Sequence, residues 1–303
     1  MTQTGRVGAA TMSGPVAATT SDGSRLHLQH GPIDLIVEAN GDPGAVVAAY
    51  DRAWDRFQPL LDELVEELPL LRQPVDAAHA GLRGTVARRM AEAVARFPSG
   101  FITPMAAVAG AVADEVCEAM WTQDHGLRRC HVNDGGDIAF RLEPEASFVV
   151  GLVPLPDLPS LLGTATVTTD DPVRGVATSG RHGRSFSLGI ADAVTILAAD
   201  AATADAAATL IANAVDLPGH AAVHRVPAIE LAPDSDLGTI PVTVGLDPLD
   251  DREIEAALSA GLAEAERMRA AGVIVAAVLC LEDRVLTTGP LRDGPRATLP
   301  PRD

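Results

Sequence analysis

Apolar and polar residues alternate through RLHLQH and IDLIVEA on either side of Gly31 and Pro32, a period of two that predicts a pair of short strands. The period then lengthens. Val46, Ala49, Tyr50, Ala53, Trp54, Phe57, Leu60 and Leu61 recur at helical spacing and predict a helix over residues 43–67. A second helix is expected over 80–96, interrupted by Pro98, Ser99 and Gly100. A third starts with Thr103 as N-cap and Pro104 at the first helical position, and runs to about residue 121. Strands follow at 128–133, 138–142 and 147–153, and TATVTT and VRGVATS flank Asp170, Asp171 and Pro172 as an expected hairpin. The pattern continues with a strand at 192–198, a helix at 203–215, a loop at 233–248, a helix at 251–270 and a strand at 273–280. No clean internal repeat is visible. The expected fold class is α/β (α+β) with mainly antiparallel strands, in one domain over residues 25–286. Residues 1–24, rich in Thr, Ala, Ser and Gly, and 287–303, rich in Pro and Arg, are expected to be disordered.

One window stands apart from this pattern. Between Ser185 and His224 there is no Arg, Lys or Glu, and the only full charges are Asp192, Asp200, Asp205 and Asp216. A segment this apolar belongs at the centre of a fold, where each carboxylate needs a hydrogen-bonding partner or a cation.

Composition sharpens the picture. Hydrophobic residues make up 47% of the 303 and aromatics only 3%, so the core must be built from small side chains at close approach. All 23 basic residues are Arg, which excludes a Schiff-base lysine, a P-loop lysine and a lysine general base. A formal net charge of -18 opposes nucleic-acid binding and attraction to an anionic membrane surface. Cys117, Cys130 and Cys280 show no metal-ligand spacing and read as buried, reduced thiols of a cytoplasmic protein. No apolar run of signal-peptide or membrane-spanning length is present, and there is no lipobox.

Three polar clusters could carry chemistry. Asn133, Gly135, Gly136 and Asp137 fall between two expected strands, where paired glycines either form a tight turn or let the backbone approach a phosphorylated ligand. Thr178, Ser179, Gly180, Arg181, Gly183, Arg184 and Ser185 form a loop with hydroxyls, free amides and two guanidinium groups, which suits an anion cradle or a plain exposed turn. Asp205 and Thr209 lie four apart on one helix face, a carboxylate and a hydroxyl of the kind that a hard cation such as Mg²⁺ takes, or else a solvated stripe. His182 sits inside the arginine loop. The remaining histidines form no zinc motif, and no nucleophile elbow is present.

Taken in order, VNDGGDI, VATSG and ADAAATLIANAV resemble the ApbE-like superfamily of flavin transferases, which use FAD and a divalent cation to attach FMN to a threonine of a protein acceptor. The resemblance covers residues 101–216 and is closest to a short branch of soluble bacterial and archaeal proteins. It implies an ApbE-like fold of two interlocked halves with a cleft between them. It further implies that Asn133, Gly135, Gly136, Asp137, Thr178, Ser179 and Gly180 hold a flavin nucleotide, FAD or FMN, with Arg181 and Arg184 on its phosphates. Asp205 and Thr209 would hold Mg²⁺, helped by a backbone carbonyl near Val108. The chain departs from the family pattern at three points. It has no histidine in SLGIADAV, leaving Asp192 or His182 as the catalytic candidate; it has Ala109 where a lysine is usual; and it lacks the usual early flavin-contacting segment. A Mg-dependent FMN transferase or FAD hydrolase and a non-catalytic nucleotide-binding protein therefore both remain open.

Overall fold

The alternation around Gly31 builds what it predicts. Strands β1 (Val16–Thr19), β2 (Arg25–His30) and β3 (Ile33–Gly41) run antiparallel in sequence order, and Leu26, Leu28, Leu35 and Val37 are buried on one face. This is a computed structural model, and it describes residues 14–21, 23–74, 81–98, 100–124, 126–152 and 163–291. The chain continues through α1 (Pro43–Phe57), α2 (Leu60–Leu71) and α3 (Thr85–Val94) to a 3₁₀ turn at Pro104–Ala107 and α4 (Val108–Met120). Then come β4 (Leu127–Asp134), β5 (Asp137–Leu142), β6 (Ser147–Leu152), β7 (Gly163–Thr168), β8 (Gly175–Ser179) and β9 (Ala193–Ala198). The last elements are α5 (Ala201–Ala214), β10 (Val223–Pro227), α6 (Ala228–Leu231), β11 (Pro241–Leu246), α7 (Asp251–Ala270), β12 (Ala276–Leu281) and β13 (Arg284–Thr288).

Nine of these strands form a sheet of order β1-β2-β3-β4-β5-β8-β9-β12-β13, with every neighbouring pair antiparallel. The fold is mixed α/β with mainly antiparallel strands, as the pattern predicts. Its two halves meet at β5 and β8, which share only the pairs Ile138–Val176 and Ala139–Gly175. One face of the sheet is covered by helices, and its core includes Leu28, Val132, Ile196, Ala204 and Ile211. The opposite core joins Phe140, Val176 and Val278 to Val150, Leu152, Ala165 and Val167 of the β6–β7 pair.

Several expectations give way to the structure. The single helix expected over 43–67 is two, because Pro59 has no amide to continue the first and stands at the N-cap of the second. TATVTT and VRGVATS do not pair as a hairpin: β7 pairs with β6 in a separate sheet, whereas β8 lies between β5 and β9. The 233–248 loop contains β11, which pairs with β10. Strand β1 lies within the N-terminal segment expected to be disordered; all four of its residues are exposed and its backbone pairs with β2, so it carries no hydrophobic signature.

Helices α4 and α5 cross at contact distance because the residues between them are small. A Cβ on Gly110 would lie 2.2 Å from the Ala201 carbonyl oxygen. Each helix gives a carboxylate to the other's first turn: Asp205 Oδ2 accepts from the Gly110 amide at 3.1 Å, and Asp114 Oδ2 accepts from the Ala202 amide at 2.9 Å. Asp200, the N-cap of α5, accepts from the Thr203 amide at 2.7 Å.

Asp114 is fully buried, and its Oδ1 has no hydrogen-bond partner among the described residues. Burial, opposed by the Ala202 amide, pushes its carboxyl up to about 6. A carboxyl raised in the folded chain binds its proton more readily there than in the unfolded chain. Its contribution is therefore greatest in acid and falls as pH rises from about 4 to about 6, by about 3 kcal/mol. Urea unfolding of the wild type and Asp114→Asn across that range should show the difference between them changing with pH and then levelling off above 6.

Candidate functional site

A cavity of about 610 Å³ opens where the β5–β8 junction, α5 and the start of α4 converge. The sheet's narrow junction places the two sequence motifs side by side. In the first, the turn between β4 and β5 needs left-handed backbone at Gly135 (φ 64°) and Gly136 (φ 116°), and Asn133 Oδ1 closes it by accepting from the Gly136 amide at 2.8 Å. Asp137 opens β5, paired with Asp134 of β4, and its Oδ1 accepts from the Thr178 amide of β8 at 3.2 Å. Thr178 Oγ1 is 2.8 Å from Thr195 Oγ1 on β9.

Residues 180–188 form the wall above this floor. Gly180 is required by packing, since a Cβ there would meet the Asp192 carbonyl oxygen at 2.3 Å. The Asp192 side chain is only 1% exposed, and both its oxygens are engaged. Oδ1 accepts from Arg181 Nε at 2.8 Å and lies 2.6 Å from Arg181 Nη2 and 3.1 Å from His182 Nε2, while Oδ2 accepts from the Glu282 amide at 2.7 Å. Arg184 is largely exposed and reaches the opposite way, with Nη2 3.6 Å from Asp134 Oδ1; a Cβ on Gly135 would sit 2.1 Å from that nitrogen.

The electrostatics are those of crowded carboxylates. Burial, and after it repulsion from Asp205, raises Asp137 well above the ordinary carboxylate range. Asp205 is pushed up to about 7 by burial, against the Gly110 amide, with Asp134 adding repulsion. Asp134 likewise rises to about 7 through burial, against the charge of Arg184. Three aspartates are thus held where negative charge is poorly compensated, an arrangement that a cation relieves. Among the described residues no three His, Cys, Asp or Glu side chains converge as a metal cluster, so an ion here needs hydroxyl, carbonyl or water oxygens as well. The donors present fit that need: Asp205, Thr209 and Val108 all line the cavity.

Of the residues singled out from sequence, Val108, Gly135, Asp137, Thr178, Ser179, Gly180, His182, Arg184, Asp205 and Thr209 line this one space. Asn133, Gly136, Arg181 and Asp192 stand behind the lining, where they hold its turns in shape. Sequence reasoning missed three sets of residues. Asn213 continues the stripe of Asp205 and Thr209 by one more step of four, a legible signal. Phe101 and Phe186 lie beside the motifs but outside them, and Ser235, Asp236 and Leu237 come from a distant loop fastened to Thr103 by the Thr103 Oγ1–Asp236 Oδ2 hydrogen bond. Nothing in the sequence marks that last segment.

The three cysteines are buried and free, as expected, with Cys117 Sγ 3.8 Å from Cys130 Sγ. Among the described residues no helix is long and apolar enough to cross a membrane.

The chain combines a mixed α/β fold with a carboxylate-lined cavity at the seam of its sheet, and a family model matches it. The family described as AbpE bacteria matches residues 17–288, and the chain belongs to that family. It is similar to a UPF0280 protein of Methanopyrus kandleri, 40% identical over 151 residues, which is 49% of this chain and 56% of the relative. A UPF0280 protein of Methanothrix thermoacetophila is 38% identical over 133 residues, 43% of this chain and 52% of the relative. The chain thus spans about half the length of these curated relatives. Among solved structures, the apo form of the flavinyl transferase ApbE of Pseudomonas stutzeri aligns over 90% of this chain and 93% of its own, at 12% identity and a TM-score of 0.40.

Proposed function

We propose that the protein binds a flavin nucleotide together with a divalent cation, and that it is a divergent Mg-dependent flavin transferase or FAD hydrolase. The observation that carries this reading is the meeting of the GGD turn, the TSG loop and the Asp205–Thr209 helix face in one cavity, with carboxylates whose repulsion a cation would relieve. Membership of the ApbE-related family supports it.

In this reading Asp205, Thr209 and the Val108 carbonyl hold Mg²⁺, which would supply charge neutralisation at the pyrophosphate. Asp137, Thr178, Ser179 and Gly180 line the nucleotide's place, and Arg184 exchanges Asp134 for a phosphate oxygen. His182 faces the cavity and pairs with Asp192, the arrangement of a base and the carboxylate that orients it. Asp192 therefore positions His182 and Arg181, and His182 takes the proton of the attacking hydroxyl or water.

A second reading has its own support. Arg181 shares the Asp192 carboxylate with His182, which spends the orienting charge on an ion pair and favours a binding protein without chemistry. One experiment separates the two. Purified protein should gain about 2.7 kcal/mol of stability from FAD at one hundred times its dissociation constant in the presence of Mg²⁺. Long incubation with FAD, alone and with a threonine-containing acceptor peptide, then yields AMP if the protein is an enzyme and none if it only binds. Absence of any FAD- and Mg²⁺-dependent stabilisation would remove both readings.

A further inference from the structure

Of the four carboxylates in the window without Arg, Lys or Glu, Asp200 caps α5, Asp205 borders the cavity and Asp192 holds Arg181 and His182. The fourth, Asp216, is not among the residues that line the cavity. Its Oδ1 accepts from Arg225 Nη2 of β10, and both side chains are 19% exposed. The carboxylate balances the guanidinium, which leaves the arginine a directional donor instead of a free charge.

That donor is aimed at one backbone atom. The Leu188 carbonyl oxygen accepts from Arg225 Nε at 3.3 Å, from Arg225 Nη2 at 3.2 Å and from Thr243 Oγ1 of β11 at 3.3 Å. A carbonyl oxygen has two lone pairs, so three donors are more than its satisfaction requires. The adjoining backbone is held as well: the Thr243 amide donates to Ser187 O at 2.8 Å, and the Leu188 amide to Asn213 Oδ1 at 2.9 Å. A bulge makes the convergence possible. The register of β10 on β11 slips by one residue between His224 and Arg225, which sets Arg225 opposite Thr243 instead of Val244. In unbroken register Arg225 and Thr243 would point to opposite faces of the ribbon.

The grip ends where exposure begins. Ser187 is buried, residues 182–186 are exposed, and all five of those line the cavity. At their other end Arg181 is fixed by Asp192 and by its own amide on Ala191 O at 2.8 Å. The segment is thus strung between two arginine–aspartate posts, with Arg184 in its middle. We propose that Arg225, balanced by Asp216 and joined by Thr243, is a positioning residue that acts through the Leu188 carbonyl to set the 182–186 segment, and with it Arg184, over the cavity. The proposal deepens the function proposed above and rests on it only for the anion that Arg184 meets.

The test removes the grip without leaving a lone charge. Asp216→Asn/Arg225→Met keeps the net charge of the chain, and hydrogen exchange reads the hold directly. The Thr243 and Leu188 amides should exchange at least about tenfold faster than in wild type, while amides in the middle of α5 stay as they are. Thr243→Val spares the ion pair and should shift the Leu188 amide the same way by less; it decides by the same readings if the double variant does not unfold cooperatively. Manganous pyrophosphate, titrated by water proton relaxation, reads the consequence at Arg184. Its affinity should fall about fivefold in the double variant, yet by less than about twofold when the same substitutions are made in Arg184→Ala protein. A loss of equal size in both backgrounds would show a structural role only and overturn the proposal, as would unchanged exchange or unchanged affinity. A wild type that binds no manganous pyrophosphate, with exchange accelerated as expected in the variants, supports the hold on the segment and counts against the proposed cation and phosphate site alone.

Discussion

Asp205→Ala is expected to lower Mg²⁺-dependent FAD binding by at least about 100-fold and to remove any AMP release with it, because among the described residues no other side chain lining the cavity is both charged and aligned with Thr209 along α5. Calorimetric titration with FAD and Mg²⁺ measures the first, and AMP formation the second. The substitution also deprives the Gly110 amide of its acceptor, a loss of about 1 kcal/mol, so the apo protein must still unfold cooperatively. Asp205→Asn separates the two effects. It keeps an oxygen for Gly110 and relieves the repulsion with Asp134 and Asp137, so it should lose the cation and unfold no more readily than wild type. FAD binding by Asp205→Asn that stays Mg²⁺-dependent at wild-type strength would show that the cation lies elsewhere.

The second large effect is expected at Gly110. A Cβ there would meet Ala201 O at 2.2 Å, Ala201 C at 2.5 Å and Ala202 N at 2.8 Å, all backbone atoms that cannot rotate away. Gly110→Ala must push α4 from α5, at a cost of about 1–3 kcal/mol, and it pulls apart the carboxylate–amide contacts at both helix starts. Urea unfolding should show the loss, and FAD affinity should fall with it because Val108 and Asp205 separate. A Gly110→Ala protein as stable as wild type would mean that the helices do not pack this closely.

Much of this architecture was legible where burial and period coincide. β2 through β5 read directly, because each puts alternate residues into a core, and the window without Arg, Lys or Glu did prove to hold the buried strand β9 and helix α5. Strand partners were not legible. TATVTT and VRGVATS carry every local sign of a hairpin, yet each pairs with a strand outside that segment. At the site, the four-residue step from Asp205 to Thr209 could be read, as could the need of Asp192 for partners. That the Glu282 amide, 90 residues on, would be one of those partners could not, since it depends on β12 pairing with β9. Asp192 itself is not among the residues that line the cavity; its carboxylate contacts Arg181 and His182.

The exchange of carboxylates between α4 and α5 has an experimental use. Asp205 holds the Gly110 amide proton while its side chain also borders the cavity, so whatever draws on that carboxylate changes the field at a single nitrogen of the scaffold. If the proposed cation site is correct, the Gly110 resonance in an amide-correlation spectrum becomes a built-in indicator of its occupancy. A titration of the isotope-labelled protein can then be followed at one peak, with no added chromophore.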